Sequence, residues 1–200
     1  AIGSTFSGNT ATTTIETGGG AVCNSGTFTA NTSMFSANSA AIGGAVYNEQ
    51  GMFTANASTF SGNFATVGGA VCSTCTFTAN TSMFSANSAV FFGGAVSNYN
   101  DMFTANASTF SENTAIIGGA VCNQDADITA NGCIFSGNTA TQNGGAVYNY
   151  SGTFEANTST FSRNTAEYGG AVLNVYKTFT ATGCTFSGNT ASLQGGAVSN

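Results

Sequence analysis

The chain repeats itself from end to end. A Gly-Gly-Ala-Val block begins at Gly19, Gly43, Gly68, Gly93, Gly118, Gly144, Gly169 and Gly195, with starts 24 to 26 residues apart. A second block, Phe-Ser-x-Asn, begins at Phe6, Phe35, Phe60, Phe84, Phe110, Phe135, Phe161 and Phe186. A third, Phe-Thr-Ala or a variant, is headed by Phe28, Phe53, Phe77, Phe103, Ile128, Phe154 and Phe179. A fixed period of this size is the signature of a stacked array, in which each repeat buries its apolar face only against its neighbours.

Each block reads as one short strand. In Thr27-Phe28-Thr29-Ala30 and Thr59-Phe60-Ser61 polar and apolar residues alternate at period two. Asn and Gly lie between blocks, where the backbone must turn. Gly, Ser, Thr and Asn disfavour helix. The expected fold is all-β: a single-chain parallel β-helix of about eight coils, with three short strands per coil. Fourteen of the 17 Phe fall in two columns that would stack in the interior. The Asn closing Phe-Ser-x-Asn recurs at Asn9, Asn38, Asn63, Asn87, Asn113, Asn138, Asn164 and Asn189, and predicts a buried ladder. A second column, Asn24, Asn48, Asn98, Asn123, Asn149, Asn174 and Asn200, is broken by Ser73.

Only 5% of residues are charged, against about 25% in an ordinary soluble domain. The net charge of −6 comes from eight acids and two bases, Arg163 and Lys177. Nucleic acid and anionic membrane need clustered Lys and Arg, so neither is an expected partner. The apolar runs are too short to span a bilayer. Ala1 falls mid-coil, at the position that Ala30 holds in the next coil, and Asn200 stops after a Gly-Gly-Ala-Val block. Neither end shows a capping repeat. Residues 1–200 are therefore expected to form one continuous solenoid, either a section of a longer one or a subunit that stacks end to end.

Phe60-Ser61-Gly62-Asn63 and Gly68-Gly69-Ala70-Val71, repeated through the chain, resemble the repeat of chlamydial polymorphic outer membrane proteins. The resemblance implies a right-handed β-helix at a cell surface, often adhesive.

Chemistry-bearing residues are sparse. There is no His, no nucleophile motif and no base paired with one, so no enzyme activity is expected and no cofactor is implied. The acids Glu16, Glu49, Asp101, Glu112, Asp125, Asp127, Glu155 and Glu167 are spread along the chain, with Asp125 and Asp127 the one close pair. Cys72-x-x-Cys75 lacks the second pair or the His that a zinc site needs, and is the best candidate for a local disulfide. Cys23, Cys72 and Cys122 share a column on alternate coils, too far apart to bridge one another. Asn31, Asn56, Asn80, Asn106 and Asn157 head Asn-x-Ser/Thr sequons in one register, and Asn149 heads a sixth outside it. All six are candidate N-glycosylation sites.

The expected function is structural: an extracellular or cell-surface rod that forms or contributes to a filament or an adhesive stalk. Its expected partners are itself, glycans or a host or cell surface. An alternative is ice binding through outward Thr columns such as Thr27-x-Thr29 and Thr76-x-Thr78. A carbohydrate-active enzyme using Asp127 ranks third.

Overall fold

The computed structural model describes residues 1–12 and 18–200. They form a parallel β-solenoid of eight coils, with no helix among the described residues. One coil shows the plan. Its strands are Met52–Asn56, Thr59–Ser61, Phe64–Val67 and Val71–Ser73. Each strand pairs in parallel with its equivalents in the coils before and after, for example Phe77 with Phe53 and Phe103. At about 4.8 Å per coil the eight coils make a body roughly 40 Å long.

Four sheets result, with eight, eight, seven and seven strands, so each coil has four walls where the sequence pattern predicts three. The additional wall is the Ser/Thr/Phe-Ala-x-x segment between the ladder Asn and the Gly-Gly. Only its Ala points inward (Ala65 is fully buried and Ala89 is 5% exposed). Its register also shifts between several coils. One small inward residue and a bulged ladder leave no period-two hydrophobic signal to read.

The interior is built from the two Phe columns. In the Phe-Ser column, from Phe6 to Phe186, successive ring centroids lie 4.6 to 4.9 Å apart with planes within 2° to 7° of parallel. The Phe-Thr-Ala column meets it edge to face, as in Phe77 with Phe84 at 6.2 Å and 80°. Both arrangements are favoured by the ring quadrupole. Val46, Val71, Val96, Val121, Val147 and Val172 close the core from a third side.

The Gly-Gly corner lets the chain turn between the bulged wall and the Val wall. Gly68 has φ +65°, and a Cβ there would collide with the carbonyl of Val71. A Cβ on Gly69 would collide with the carbonyl of Gly94 in the next coil. The first Gly supplies a left-handed turn and the second a backbone-to-backbone approach, which no other residue allows together.

Both expected Asn ladders are present. Asn87 is typical of the first and is fully buried. Its Nδ2 donates to Asn113 Oδ1 at 3.0 Å and to the Phe60 carbonyl at 3.0 Å. Its Oδ1 accepts from the backbone N–H and the Nδ2 of Asn63, at 3.0 and 2.9 Å. Every hydrogen-bonding position of the carboxamide is filled, as a buried amide requires.

Replacing an inward ring should therefore cost far more than replacing the residue beside it. Phe84→Ala is expected to lower unfolding free energy by about 3–5 kcal/mol. Met83→Ala, one residue earlier and facing outward, should change it by less than about 0.5 kcal/mol. Denaturant melts of the two variants check the contrast, and equal effects would contradict the stacked core.

Candidate functional site

Three groups of residues carry what chemistry the surface has: a turn cleft, the sequon column and the cysteines.

The cleft lies where the chain passes from the Val wall to the Phe-Thr-Ala wall. It encloses about 360 Å³ and is lined by Asp101, Asp125, Asp127 and Lys177, with Asn100, Met102, Ala126 and Ser151. The coil stacking thus gathers three acids and one of the two bases, although the sequence spreads them along the chain. Asp101 spends its carboxylate on its own turn and the one before, with Oδ1 accepting from the Met102 N–H at 2.7 Å and Oδ2 from Thr76 Oγ1 of the preceding coil at 3.0 Å. Asp127 Oδ1 accepts from the Thr153 N–H at 2.8 Å. These carboxylates cap loops, the usual work of Asp in turns. Among the described residues no three His, Cys, Asp or Glu are placed to hold a metal ion. Glu16 lies outside the described residues.

The sequon column has a structural cause that sequence reasoning missed. Asn31, Asn56, Asn80, Asn106, Asn131 and Asn157 form a third ladder. After Asn31, each Nδ2 donates to the Oδ1 one coil earlier, at 2.8 to 3.0 Å. It runs opposite to the other two ladders. The Ser two residues on is buried: Ser58 is 1% exposed, shares its one hydroxyl proton between the Asn56 and Ala30 carbonyls, and accepts from the Ser33 N–H at 3.0 Å. A ladder Asn followed by an inward Ser spells a sequon. Coil six carried the available clue, since Asn131-Gly132-Cys133 keeps the Asn where the hydroxyl is gone. Asn149 belongs to the second ladder instead. It is fully buried, and its Nδ2 donates to Asn174 Oδ1 at 2.7 Å and to the Gly152 carbonyl. No amide proton of Asn149 is left facing solvent in the fold.

All six cysteines stand as free thiols in the structure, the candidate pair Cys72 and Cys75 among them. Cys72 is buried in a column between Tyr47 and Ser97, while Cys75 Sγ lies 3.5 Å from the Glu49 carbonyl. Cys133 and Cys184 occupy the inward Ser position of the sequon column. Their Sγ atoms take over the hydroxyl's bonds, to the Ala105 carbonyl at 3.3 Å and the Ala156 carbonyl at 3.2 Å. Burial pushes the Cys72 thiol up to about 12, raises Cys122, and pushes Cys133 up to about 11 despite bonds to neighbouring backbone. None is poised as a nucleophile.

The second ladder has a defect at Ser73. Asn48 Nδ2 donates to Ser73 Oγ at 3.0 Å, and Ser73 spends its only proton on the Cys75 carbonyl at 2.5 Å. Asn98 Oδ1, facing it from the next coil, is buried with no partner.

A parallel β-solenoid with a repeated Phe-Ser-x-Asn and Gly-Gly-Ala-Val coil is the class this geometry defines. The model of the Chlamydia polymorphic membrane protein repeat matches the chain three times, over residues 57–74, 132–150 and 183–200. Each matched span runs from the Phe-Ser wall through the Gly-Gly corner to the Val wall. No curated protein and no solved structure matches the chain.

Ser73→Asn should raise stability by about 1 kcal/mol by giving Asn98 Oδ1 its donor. Asn24, on a turn of the same length, shows that such a turn accommodates the longer side chain. A melt that falls would contradict the ladder account. In native protein at pH 8, iodoacetamide should label exposed Cys23 and spare Cys72, Cys122 and Cys133, read by peptide mass spectrometry. The same burial sets a pH limit. Thiols that ionise near 9.0 when unfolded are held neutral in the fold to about 11 or 12. Their stabilisation is complete below pH 9 and is lost as pH rises from there. The thermal midpoint should be flat from pH 7 to 8 and fall between pH 9 and 12.

Proposed function

We propose that the chain is a non-catalytic rod at the outside of a cell, serving as a filament segment or an adhesive stalk. The observation that carries this reading is the continuous core. The Phe-Ser ring column and the first Asn ladder run through all eight coils, and a core of constant cross-section resists bending. The polymorphic membrane protein repeats support a surface location. The turn cleft favours no catalytic reading, because Asp101 and Asp127 already accept hydrogen bonds from the turns of their own and neighbouring coils.

Partners in this reading are further copies joined end to end, or glycans and cell surfaces met along the walls. Where the chain is glycosylated, Asn31 is the sequon position that sacrifices least. Its upstream neighbour in the register is Ile2, which offers no ladder acceptor. Asn56, Asn80, Asn106 and Asn157 each already give an amide proton to the coil before.

The ice-binding reading has one observation in its favour. Thr29, Thr54, Thr78, Thr104 and Thr129 stand in register on the outer face of one wall, up to Glu155. A thermal hysteresis measurement decides it, with no freezing-point gap expected.

Immunogold electron microscopy of source cells tests the rod. Label on thin projections or at the outer surface is the expected outcome, with intact mass reporting any added sugar. Label confined to the cell interior would overturn it.

A further inference from the structure

The bulged wall carries an apolar face that the core does not use. Its strands in coils two to five are Ser39–Ile42, Phe64–Val67, Ser88–Phe92 and Thr114–Ile117, and none contains a charged residue. Phe64 is 48%, Phe91 47% and Val90 41% exposed. Half-buried Ile42, Val67, Phe92, Ile116 and Ile117 surround them.

The face is complementary to itself. In-register neighbours are Phe64 with Ser88, Val67 with Phe92, and Phe92 with Ile117. A two-fold axis lying along the strands, between coils three and four, exchanges coil two with five and three with four. It sets Phe64 over the second copy's Ser88, Phe92 over its Val67, Val90 over its Thr66 and Ile116 over its Ala41. Phe64 and Ile116 meet the small Ser88 and Ala41, Phe92 meets Val67 and Ile117 meets Ile42, so the apolar span maps onto itself. Placed between any other two coils, the axis lays part of the apolar span on coils outside it. Size matters too. Two half-exposed Phe rings present about 200 Å², and with their neighbours the face offers on the order of 400 Å². That is roughly the apolar half of the ~800 Å² each partner gives to a standard interface.

From this we infer that the protein pairs side by side with a second copy of itself, the two solenoid axes antiparallel, through the bulged wall. The inference goes beyond the rod reading, since a rod that stays single is still a rod. Uncharged walls packed about 10 Å apart, as stacked sheets are, exclude water from the Phe and Ile side chains.

Sedimentation equilibrium with small-angle scattering on the 200-residue chain tests the inference. The expected result is a monomer–dimer equilibrium populated below about 100 µM, with a dimer spanning about ten coils, roughly 50 Å. Phe64→Lys and Phe91→Lys should each weaken pairing about tenfold or more with unchanged circular dichroism. Val90→Lys carries the same test if either variant misfolds. Met83→Lys, on a different wall, should leave pairing intact. A monomer throughout this range overturns the inference. So does a dimer indifferent to the three Lys variants, or one about 80 Å long. That last result would mean end-to-end stacking, which leaves the filament reading standing while this one fails.

Discussion

A carboxamide taken out of water must keep about four hydrogen-bonding positions occupied. In this chain the buried asparagines meet that demand by sharing it between coils. Asn87 gives two protons, one forward to Asn113 and one back to the Phe60 carbonyl, and accepts two from Asn63. None of these bonds survives a shift of one coil against the next by a residue. The ladder therefore fixes the register, and register places ring on ring in the Phe columns. Phe stacking and Asn sharing are two readings of a single spacing, about 4.8 Å. Opposed ladder directions add to the constraint, since the sequon column donates backward while the other two donate forward.

Much of this is legible in the residues because the repeat makes it redundant. Phe at the same offset in every coil announces an inward column, and a recurring Asn announces a ladder. The fourth wall is illegible for a definite reason. It contributes only an alanine inward, its outward residues vary from Ile42 to Asn143, and its ladder slips at bulges. The third Asn ladder hid behind a motif with another meaning. Asn-x-Ser reads as a glycan acceptor in isolation, whereas here the Asn serves the ladder and the Ser fills a buried corner. Cys133 and Cys184 are explained the same way, as occupants of a Ser position, which no count or spacing of cysteines reveals.

The surface follows a different logic from the core. The inward positions repeat nearly without change, and outward ones differ coil by coil. Met34 and Met83 alternate with Thr59 and Thr109, and the bulged wall turns apolar in coils two to five and polar beyond. A scaffold whose stability is set inside can vary its outer faces at little cost. Whatever distinguishes this rod from another of the same repeat is therefore written on its walls, and the acidic turn cleft and the Phe64–Ile117 face are the two places where its walls depart most from Ser and Thr.

The measurement that tests the central claim most directly is side-chain amide exchange by nuclear magnetic resonance. In D2O the Nδ2 protons of Asn63, Asn87, Asn113 and Asn138 should persist with the slowest backbone amides, because each is bonded inside the core. Exchange of those four at the rate of an exposed asparagine would show that the coils are not held by shared amides, and the account of register built on them would fall.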